Sequence, residues 1–114
     1  MKFYDVPIKV NTDPSLNASD LLLERVAIDP SHPLFSRQNK DGTWRNVTSQ
    51  EFLDEVKSLA KGLIAQGIKP GDAVAIMSRT RYEWTMIDFA IWFAGAIGVP
   101  IYESSAASQI EWIL

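Results

Sequence analysis

The stretch AVAIMSRTRYEWTMIDFAIWFAGAIGVPIY, residues 73–102, decides the fold class of this chain. Its opening, Ala73 to Ser78, is continuously apolar rather than alternating, which predicts a strand buried on both faces. Tyr82 to Ile97 then predicts a long helix that is apolar on nearly every side and needs cover around most of its circumference. VPIY predicts a second strand. Strand, helix and strand within about 30 residues indicate a βαβ unit with parallel strands and a right-handed crossover.

The best-specified element lies upstream and is a helix that begins after Thr48. Thr48 and Glu51 have the spacing of a capping box, and Val47 and Phe52 can form the hydrophobic staple that accompanies it. Gly67 lies where helices end on a left-handed residue. The helical period predicts a buried stripe of Phe52, Leu53, Val56, Leu59, Ala60, Leu63 and Ile64, opposite a solvated side of Asp54, Glu55, Lys57 and Lys61.

The first residues of the chain predict an extended lead-in followed by a short helix. Residues 1–16 contain proline and lack periodicity, so they are expected to wrap over another surface. Asn17 or Ser19 is the expected N-cap of the helix, which ends at Pro30. Its apolar stripe is predicted to contain Leu21, Leu22 and Val26.

A β-hairpin is predicted at Leu34 to Val47, where apolar and polar residues alternate. Asp41 and Gly42 suit the positive backbone dihedrals of a tight turn. A last helix is predicted after Ser105, and it reaches Leu114 without a C-cap, glycine or proline. The chain therefore reads as if it were cut off from a longer one.

Together these elements predict an α/β fold. It consists of a partial doubly wound sheet with a β-hairpin and one right-handed βαβ unit. Residues 1–16 form the lead-in, and residues 17–114 form an incomplete subdomain.

Composition excludes several classes of function. Eleven basic and fourteen acidic residues give a net charge of −3 without a concentrated basic face, so no nucleic acid partner is expected. The absence of cysteine excludes a disulfide framework and a thiol nucleophile. The charged, proline-containing start does not predict a signal peptide. The 14-residue uncharged run from Phe89 to Tyr102 is shorter than the roughly 20 apolar residues of a membrane span, so no span is expected.

The search for chemistry-bearing motifs is mostly negative. The six glycines match neither the P-loop nor the dinucleotide fingerprint, so these residues alone are not expected to bind ATP. His32 is the sole histidine and is interpreted as a bystander in a loop. A zinc site would need carboxylates at a spacing that the chain does not offer. We therefore assign no catalytic, cofactor-binding or metal-binding residue.

Polar residues follow both predicted parallel strands, at the carboxyl ends where open α/β sheets gather ligands. An anion site is one interpretation of the first group. The favoured one is that its arginines are solvated or pair with Glu83 or Asp88. Ser105, in the second group, is interpreted as the N-cap of the last helix. The two groups are Ser78, Arg79 and Arg81, and Tyr102, Glu103, Ser104 and Ser105.

Asp88 is the one charge inside the apolar helix, so burial would raise its pKa and make it a candidate acid or base. It shares a helical face with Trp84, Trp92 and Gly95, and the favoured interpretation places it at the rim of the buried surface. The tryptophans are interpreted as core or interface anchors, because no basic residues interleave them.

Several motifs together resemble a known family. GIKPGDAVAI at 67–76 has the form GxxxGDxVAI, RYEW occupies 81–84, AGAIGVPIYES occupies 94–104, and EWIL occupies 111–114. Upstream, TWRNVTSQEFLDEVKSLAKGLIAQG is similar to the segment that precedes these motifs in that family. From Leu34 to Leu114 the chain resembles the N-terminal region of long-chain acyl-CoA synthetases, members of the adenylate-forming superfamily. RYEW with PIYE is specific to the long-chain branch.

The resemblance implies the N-terminal piece of a larger adenylate-forming domain, in a parent enzyme that uses ATP, Mg and CoA. A fatty acid carboxylate would attack the α-phosphate of ATP to give acyl-AMP and pyrophosphate, and the CoA thiolate would then displace AMP. The family's TSGTTGxPK-type phosphate loop, adenine and ribose contacts and catalytic lysine are expected beyond Leu114. No residue here is therefore transferred as catalytic.

By itself this chain is expected to supply scaffold only. Its expected partners are the rest of the parent domain and, for the isolated fragment, a second copy. The parent is expected in the cytoplasm, and peripheral contact with a membrane surface is left open. Two alternatives stay open: a self-standing α/β interaction module without catalysis, and a nucleotide-binding regulator of flavodoxin-like order. The regulator is weaker because it would need acidic clusters or glycine loops at strand ends.

Overall fold

The computed structural model describes residues 3–9 and 12–114, and this part of the chain contains four helices and four strands. In chain order they are α1 Ala18–Ile28, β1 Pro33–Gln38, β2 Trp44–Thr48, α2 Ser49–Ala65, β3 Ala73–Met77, α3 Tyr82–Phe93, β4 Ile97–Ile101 and α4 Ala107–Ile113. The strands form two small sheets, an antiparallel β1–β2 pair and a parallel β3–β4 pair. The predicted mixture of hairpin and parallel βαβ unit is confirmed, and the handedness of the crossover stays a prediction.

The predicted lead-in contains no helix or strand in its described part, residues 3–9 and 12–16. The remainder of the lead-in prediction lies outside the described residues. α1 then begins at a reciprocal cap. The Asn17 side chain accepts from the Ser19 N–H at 2.8 Å, and Asp20 accepts from the Asn17 N–H at 2.9 Å. Asn17 is thus the N-cap. Leu22 packs this helix onto the core, whereas Leu21 is exposed.

The hairpin loop is longer than predicted. It spans Asn39–Thr43, and the Asn39 N–H donates to the Thr43 carbonyl at 2.7 Å while the Gly42 N–H donates to the Asn39 carbonyl at 3.0 Å. Gly42 has φ 86°, but no non-glycine residue among those described has a positive φ. The prediction of a tight turn with positive dihedrals at Asp41 is therefore wrong. Asp41 instead accepts from the Thr43 hydroxyl at 2.6 Å, which suits a longer loop that ends in a left-handed glycine.

Both predicted ends of α2 are confirmed. Thr48 Oγ1 accepts from the Glu51 N–H at 3.2 Å, and Glu51 Oε2 accepts from the Thr48 N–H at 2.8 Å. At the other end Gly67 has φ 99°, and the Ile68 N–H donates to the Leu63 carbonyl at 3.2 Å. These contacts satisfy donors and acceptors that a helix terminus otherwise leaves to water.

The buried face of α2 departs from the predicted stripe at two positions. Phe52, Leu53, Val56 and Ala60 are buried, but Ile64 is 53% exposed, although the adjacent Leu63 packs against the core. Glu55, predicted on the solvated side, is half-buried. The reason is the docking of α3, which covers this edge of α2.

α3 is shorter than predicted, since it ends at Phe93 and not at Ile97. Gly95 has φ 75° and turns the chain, while the Ala96 N–H donates to the Ile91 carbonyl at 3.0 Å. A Cβ at Gly95 would lie 3.2 Å from Pro70, so close approach also favours glycine here. Ile97 is thereby released to begin β4.

The expected cover around α3 is present. α1 and α2 pack on one side of it and β3 and β4 on the other, Ala90 and Ile91 are buried, and Trp92 is its one exposed residue. The prediction that β3 is buried on both faces is wrong. Val74 and Ile76 pack with Ile91, whereas the alternate residues Ala73, Ala75 and Met77 are exposed. Among the described elements, α3 covers one face of this small sheet and nothing covers the other.

Aromatic rings join the hairpin to the two long helices. The Phe52 ring centroid lies 4.9 Å from that of Phe35, 5.9 Å from that of Tyr82 and 5.4 Å from that of Phe89. Tilted and edge-to-face pairs of this kind add about 1 kcal/mol each to the burial of the rings. Phe52 therefore ties β1, α2 and α3 into one core.

Two glycines of α2 provide an internally matched test of the helix end. Gly62→Ala lies inside the helix with no atom within 4 Å of the new Cβ, so we expect a gain of about 1 kcal/mol in the free energy of unfolding. Gly67→Ala must adopt φ 99°, and we expect a loss of about 1–2 kcal/mol. Urea unfolding at constant m-value measures both. Equal effects of the two substitutions would contradict the assigned C-terminus.

Candidate functional site at the carboxyl ends of the parallel strands

An open cavity of about 510 Å³ lies where β3 and β4 end. Because the strands are parallel, with Met77 opposite Ile101, the segments that follow them leave the same edge of the sheet. The structure therefore brings together most of the two groups that the sequence presents 20 or so residues apart. The lining residues are Ser78, Arg79, Thr80, Trp84, Pro100, Ile101, Tyr102, Glu103 and Ser104.

One ion pair crosses the mouth of this cavity. Arg79 Nε donates to Glu103 Oε2 at 3.1 Å, and the two side chains are 85% and 53% exposed. Arg79 is thus solvated, as expected, but its partner is neither Glu83 nor Asp88. Solvent screens such an exposed pair, so it adds little to stability and separates easily. Arg79 is consequently available to an anion that enters the cavity beside the exposed ring of Tyr102.

A second, tighter ionic cluster holds the start of α3. Glu83 accepts from Arg81 Nε at 2.6 Å and from Arg37 Nη2 at 2.6 Å, one bond to each carboxylate oxygen. The hydrogen bond from Arg81 lowers the pKa of the Glu83 carboxyl, and the same bond raises the pKa of Arg81. The predicted pairing of Arg81 with Glu83 is confirmed, and Arg81 is not among the residues that line the cavity.

Tyr82 adds contacts that the sequence analysis missed. Its hydroxyl donates to Glu55 Oε2 at 2.7 Å, and the Arg37 guanidinium lies 4.1 Å from its ring centroid. Burial, followed by the bond to Glu55, raises the pKa of the Tyr82 phenol, so it stays protonated at neutral pH. An aromatic residue at the start of a predicted helix was the one feature that could have drawn attention to Tyr82. Nothing in the sequence predicts that Glu55 and Arg37 lie beside it.

Asp88 is half-buried on α3, where its Oδ1 lies 2.8 Å from the position that a Cβ would occupy at Gly98. Desolvation raises the pKa of its carboxyl. This intermediate burial agrees with the expected rim position. Asp88 is not among the residues that line the cavity at the strand ends.

The remaining candidates lie apart from the cavity. His32 is exposed, with Nδ1 3.8 Å from Asp29 Oδ2. Ser105 was predicted as the N-cap of α4 but the N-cap is Ala106, whose N–H donates to the Gln109 side chain at 2.8 Å. Among the described residues no group of three or more acidic or histidine side chains is arranged to hold a metal ion. None of the described helices combines the length and apolar character needed to cross a bilayer.

A second cavity, of about 490 Å³, opens between α1 and the hairpin. Apolar side chains form most of its walls, and Glu24 and Arg25 lie at its α1 side. It contains no arrangement of nucleophile and base. The cavity at the strand ends is therefore the better candidate for chemistry with polar ligands, although both are open surface features.

Comparison with known families identifies the chain. The model of the family described as AMP-binding enzyme matches residues 22–114. The chain belongs to this family.

Similar proteins agree with this assignment. Over all 114 residues the chain is 40% identical to the long-chain-fatty-acid CoA ligase FadD15 of Mycobacterium bovis, of which it spans 19%. The solved fatty acid AMP ligase of Legionella pneumophila matches 82% of this chain and 16% of its own chain, with 25% identity and a TM-score of 0.68. The structure of CmiS6 matches 98% of this chain and 28% of its own, with 22% identity and a TM-score of 0.77, which supports the fold alone. The chain thus spans about a fifth of the length of the curated relative, and the resemblance to long-chain acyl-CoA synthetases is confirmed.

Asp88→Asn tests the cost of the half-buried charge. Since the folded-state pKa is raised above the ordinary value of 3.8, this group stabilises the fold most below pH 3.8, and the contribution is lost as pH rises through the folded-state pKa. We expect the variant to be more stable than the unaltered chain at neutral pH and equal to it below pH 3.8, in urea unfolding across pH. A less stable variant at neutral pH would show that the carboxylate has a stabilising partner.

Proposed function

We propose that this chain is the N-terminal segment of a larger long-chain acyl-CoA ligase. The observation that carries the proposal is the 40% identity to a long-chain-fatty-acid CoA ligase over every residue of the chain. The activity would be the ATP-dependent formation of acyl-AMP and pyrophosphate from a long-chain fatty acid, followed by transfer of the acyl group to CoA. A cytoplasmic enzyme that meets its substrate at a membrane surface fits this chemistry.

Within that ligase we propose that this segment supplies scaffold and no catalytic residue. The carboxyl oxygen of the fatty acid has to attack phosphorus, and the leaving pyrophosphate needs compensating positive charge. The described residues offer no phosphate-cradling glycine loop and no cluster of carboxylates for Mg. Mg does not fit the residues of this segment, so its site belongs to other parts of the enzyme.

The cavity at the strand ends supports one direct contribution to substrate binding. Both ATP and CoA carry phosphate groups, and Arg79 offers a guanidinium whose ionic partner among the described residues is Glu103, in an exposed pair. The exposed Tyr102 ring and the half-buried Trp84 offer flat apolar surface for a base in the same cavity. We propose that this cavity receives a phosphate-bearing part of a substrate, away from the reacting atoms.

The alternative function is a self-standing α/β interaction module without catalysis. The uncovered face of β3 and several exposed apolar side chains favour it, because such surfaces mark contacts with other protein. The family match disfavours the flavodoxin-like regulator. The open reading frame after Leu114 discriminates, since a Gly/Ser/Thr-rich loop followed by lysine there supports the ligase.

The first test is fatty-acid-dependent exchange of pyrophosphate into ATP. We expect no exchange by the 114-residue chain at millimolar ATP, because it lacks a phosphate loop. The full-length protein that contains it should show exchange and should ligate palmitate in preference to acetate. Exchange by the pure short chain would refute the scaffold role, and a preference for acetate would refute the long-chain assignment.

The isolated chain is also expected to self-associate. Among the described residues, one face of the β3–β4 sheet is uncovered at Ala73, Ala75 and Met77, and both of its edges are open. Trp112 is 87% exposed. We expect a two-fold dimer at micromolar concentration, with a mass of twice 12.8 kDa in sedimentation equilibrium. A monomer that also fails to bind a hydrophobic dye would contradict this expectation.

A further inference from the structure

Arg37 is a charged residue on the core face of the hairpin. Side chains alternate along a strand, so Arg37 shares its face with Phe35, whose ring packs against Phe52. The register places Arg37 directly opposite Arg45 on β2. Like charges in directly opposed positions destabilise a hairpin. A cation at position 37 therefore needs an anionic partner from another element.

Glu83, in the first turn of α3, is that partner. Arg37 Nη2 lies 2.6 Å from Glu83 Oε1, and the two side chains are only 31% and 30% exposed. The guanidinium also lies over the Tyr82 ring, which restricts its orientation. This pair is better shielded from solvent than the pair of Arg79 with Glu103. It can therefore hold a fixed geometry where the exposed pair cannot.

Glu83 passes this restraint to the loop that lines the cavity. Its second oxygen accepts from Arg81, which is the N-cap residue of α3. Arg81 makes no side-chain cap hydrogen bond, although this position is usually held by Ser, Thr, Asp or Asn, whose oxygen bonds to the first turn. The loop from Ser78 to Arg81 is thus fastened at its α3 end through an ion pair and not through a cap.

We propose that Arg37 is a positioning residue: through Glu83 it fixes the course of the Ser78–Arg81 loop and so the place of Arg79 at the cavity. The proposal rests on the proposed function, because it needs the cavity to bind a phosphate-bearing substrate. It assigns to the hairpin, which lines no part of that cavity, a role in the affinity of the cavity for substrate.

The test is steady-state kinetics of the full-length ligase that contains this chain, with KM measured separately for ATP, CoA and palmitate. Arg79→Met removes the cavity charge, and we expect about a tenfold rise in KM for ATP or for CoA. Arg37→Met should raise the same KM severalfold with kcat nearly unchanged. Arg37→Lys keeps the charge beside Glu83 and should restore most of the affinity. Lys40→Met removes an exposed cation from the loop of the same hairpin and should leave every KM unchanged.

The outcomes separate the two proposals. If Arg79→Met changes no KM, the proposed role of the cavity fails. If Arg79→Met raises a KM but Arg37→Met behaves like Lys40→Met, the positioning role of Arg37 is refuted while the proposed role of the cavity stands. A fall in kcat without a change in any KM would also refute the positioning role, because a general loss of folded enzyme gives that result. Glu83→Gln keeps the side-chain shape and breaks the same chain of contacts, so it provides the test if Arg37→Met does not fold.

Discussion

α3 has apolar residues on nearly every side, so a single neighbouring element cannot bury its surface. The rest of the chain is arranged around this requirement. α2 and α1 cover α3 on one side, while β3 and β4 cover it on the other. Each buried apolar side chain contributes about 1.5–3 kcal/mol, so leaving this helix bare would offset most of the stability of a domain of this size. The order of elements follows from this demand, since strands that flank the helix in sequence can pair in parallel only if the helix lies against their sheet.

The polar groups at the start of α3 show how this packing sets the electrostatics. Docking of the hairpin brings Arg37 to Glu83 and docking of α2 brings Glu55 to the Tyr82 hydroxyl. Each of these groups loses water on burial, and each recovers a charge-assisted hydrogen bond in exchange. Asp88 is different, because it is half-buried with a raised pKa and faces the backbone at Gly98. The glycine leaves room for this carboxylate, which a side chain at position 98 would displace.

The described residues form most of the core on one side of α3, but they form only part of the candidate site. The fold is nearly self-sufficient on the side of α3 that faces α1, α2 and the hairpin, where one continuous core runs from Leu22 to Ala90. The sheet side is open, and the cavity there has walls but no catalytic machinery among the described residues. This asymmetry agrees with membership of an enzyme family whose curated long-chain ligase is about five times as long as the chain. A segment of this kind can carry binding surface while the reacting groups come from elsewhere.

The sequence by itself determined the local features. The capping box at Thr48, the left-handed end at Gly67, the hairpin and the succession of strand, helix and strand depend on contacts within a few residues or on one-sided periodicity, both of which can be read along the chain. It also determined the family, because RYEW and PIYE occur in the order and at the positions typical of long-chain acyl-CoA synthetases. Tertiary structure alone decided that one face of β3 stays bare among the described residues, that Arg79 pairs with Glu103 and that Arg37 reaches Glu83. These features pair residues from elements far apart in sequence, and which charges meet depends on how the helices and the hairpin dock, a property that no local pattern encodes.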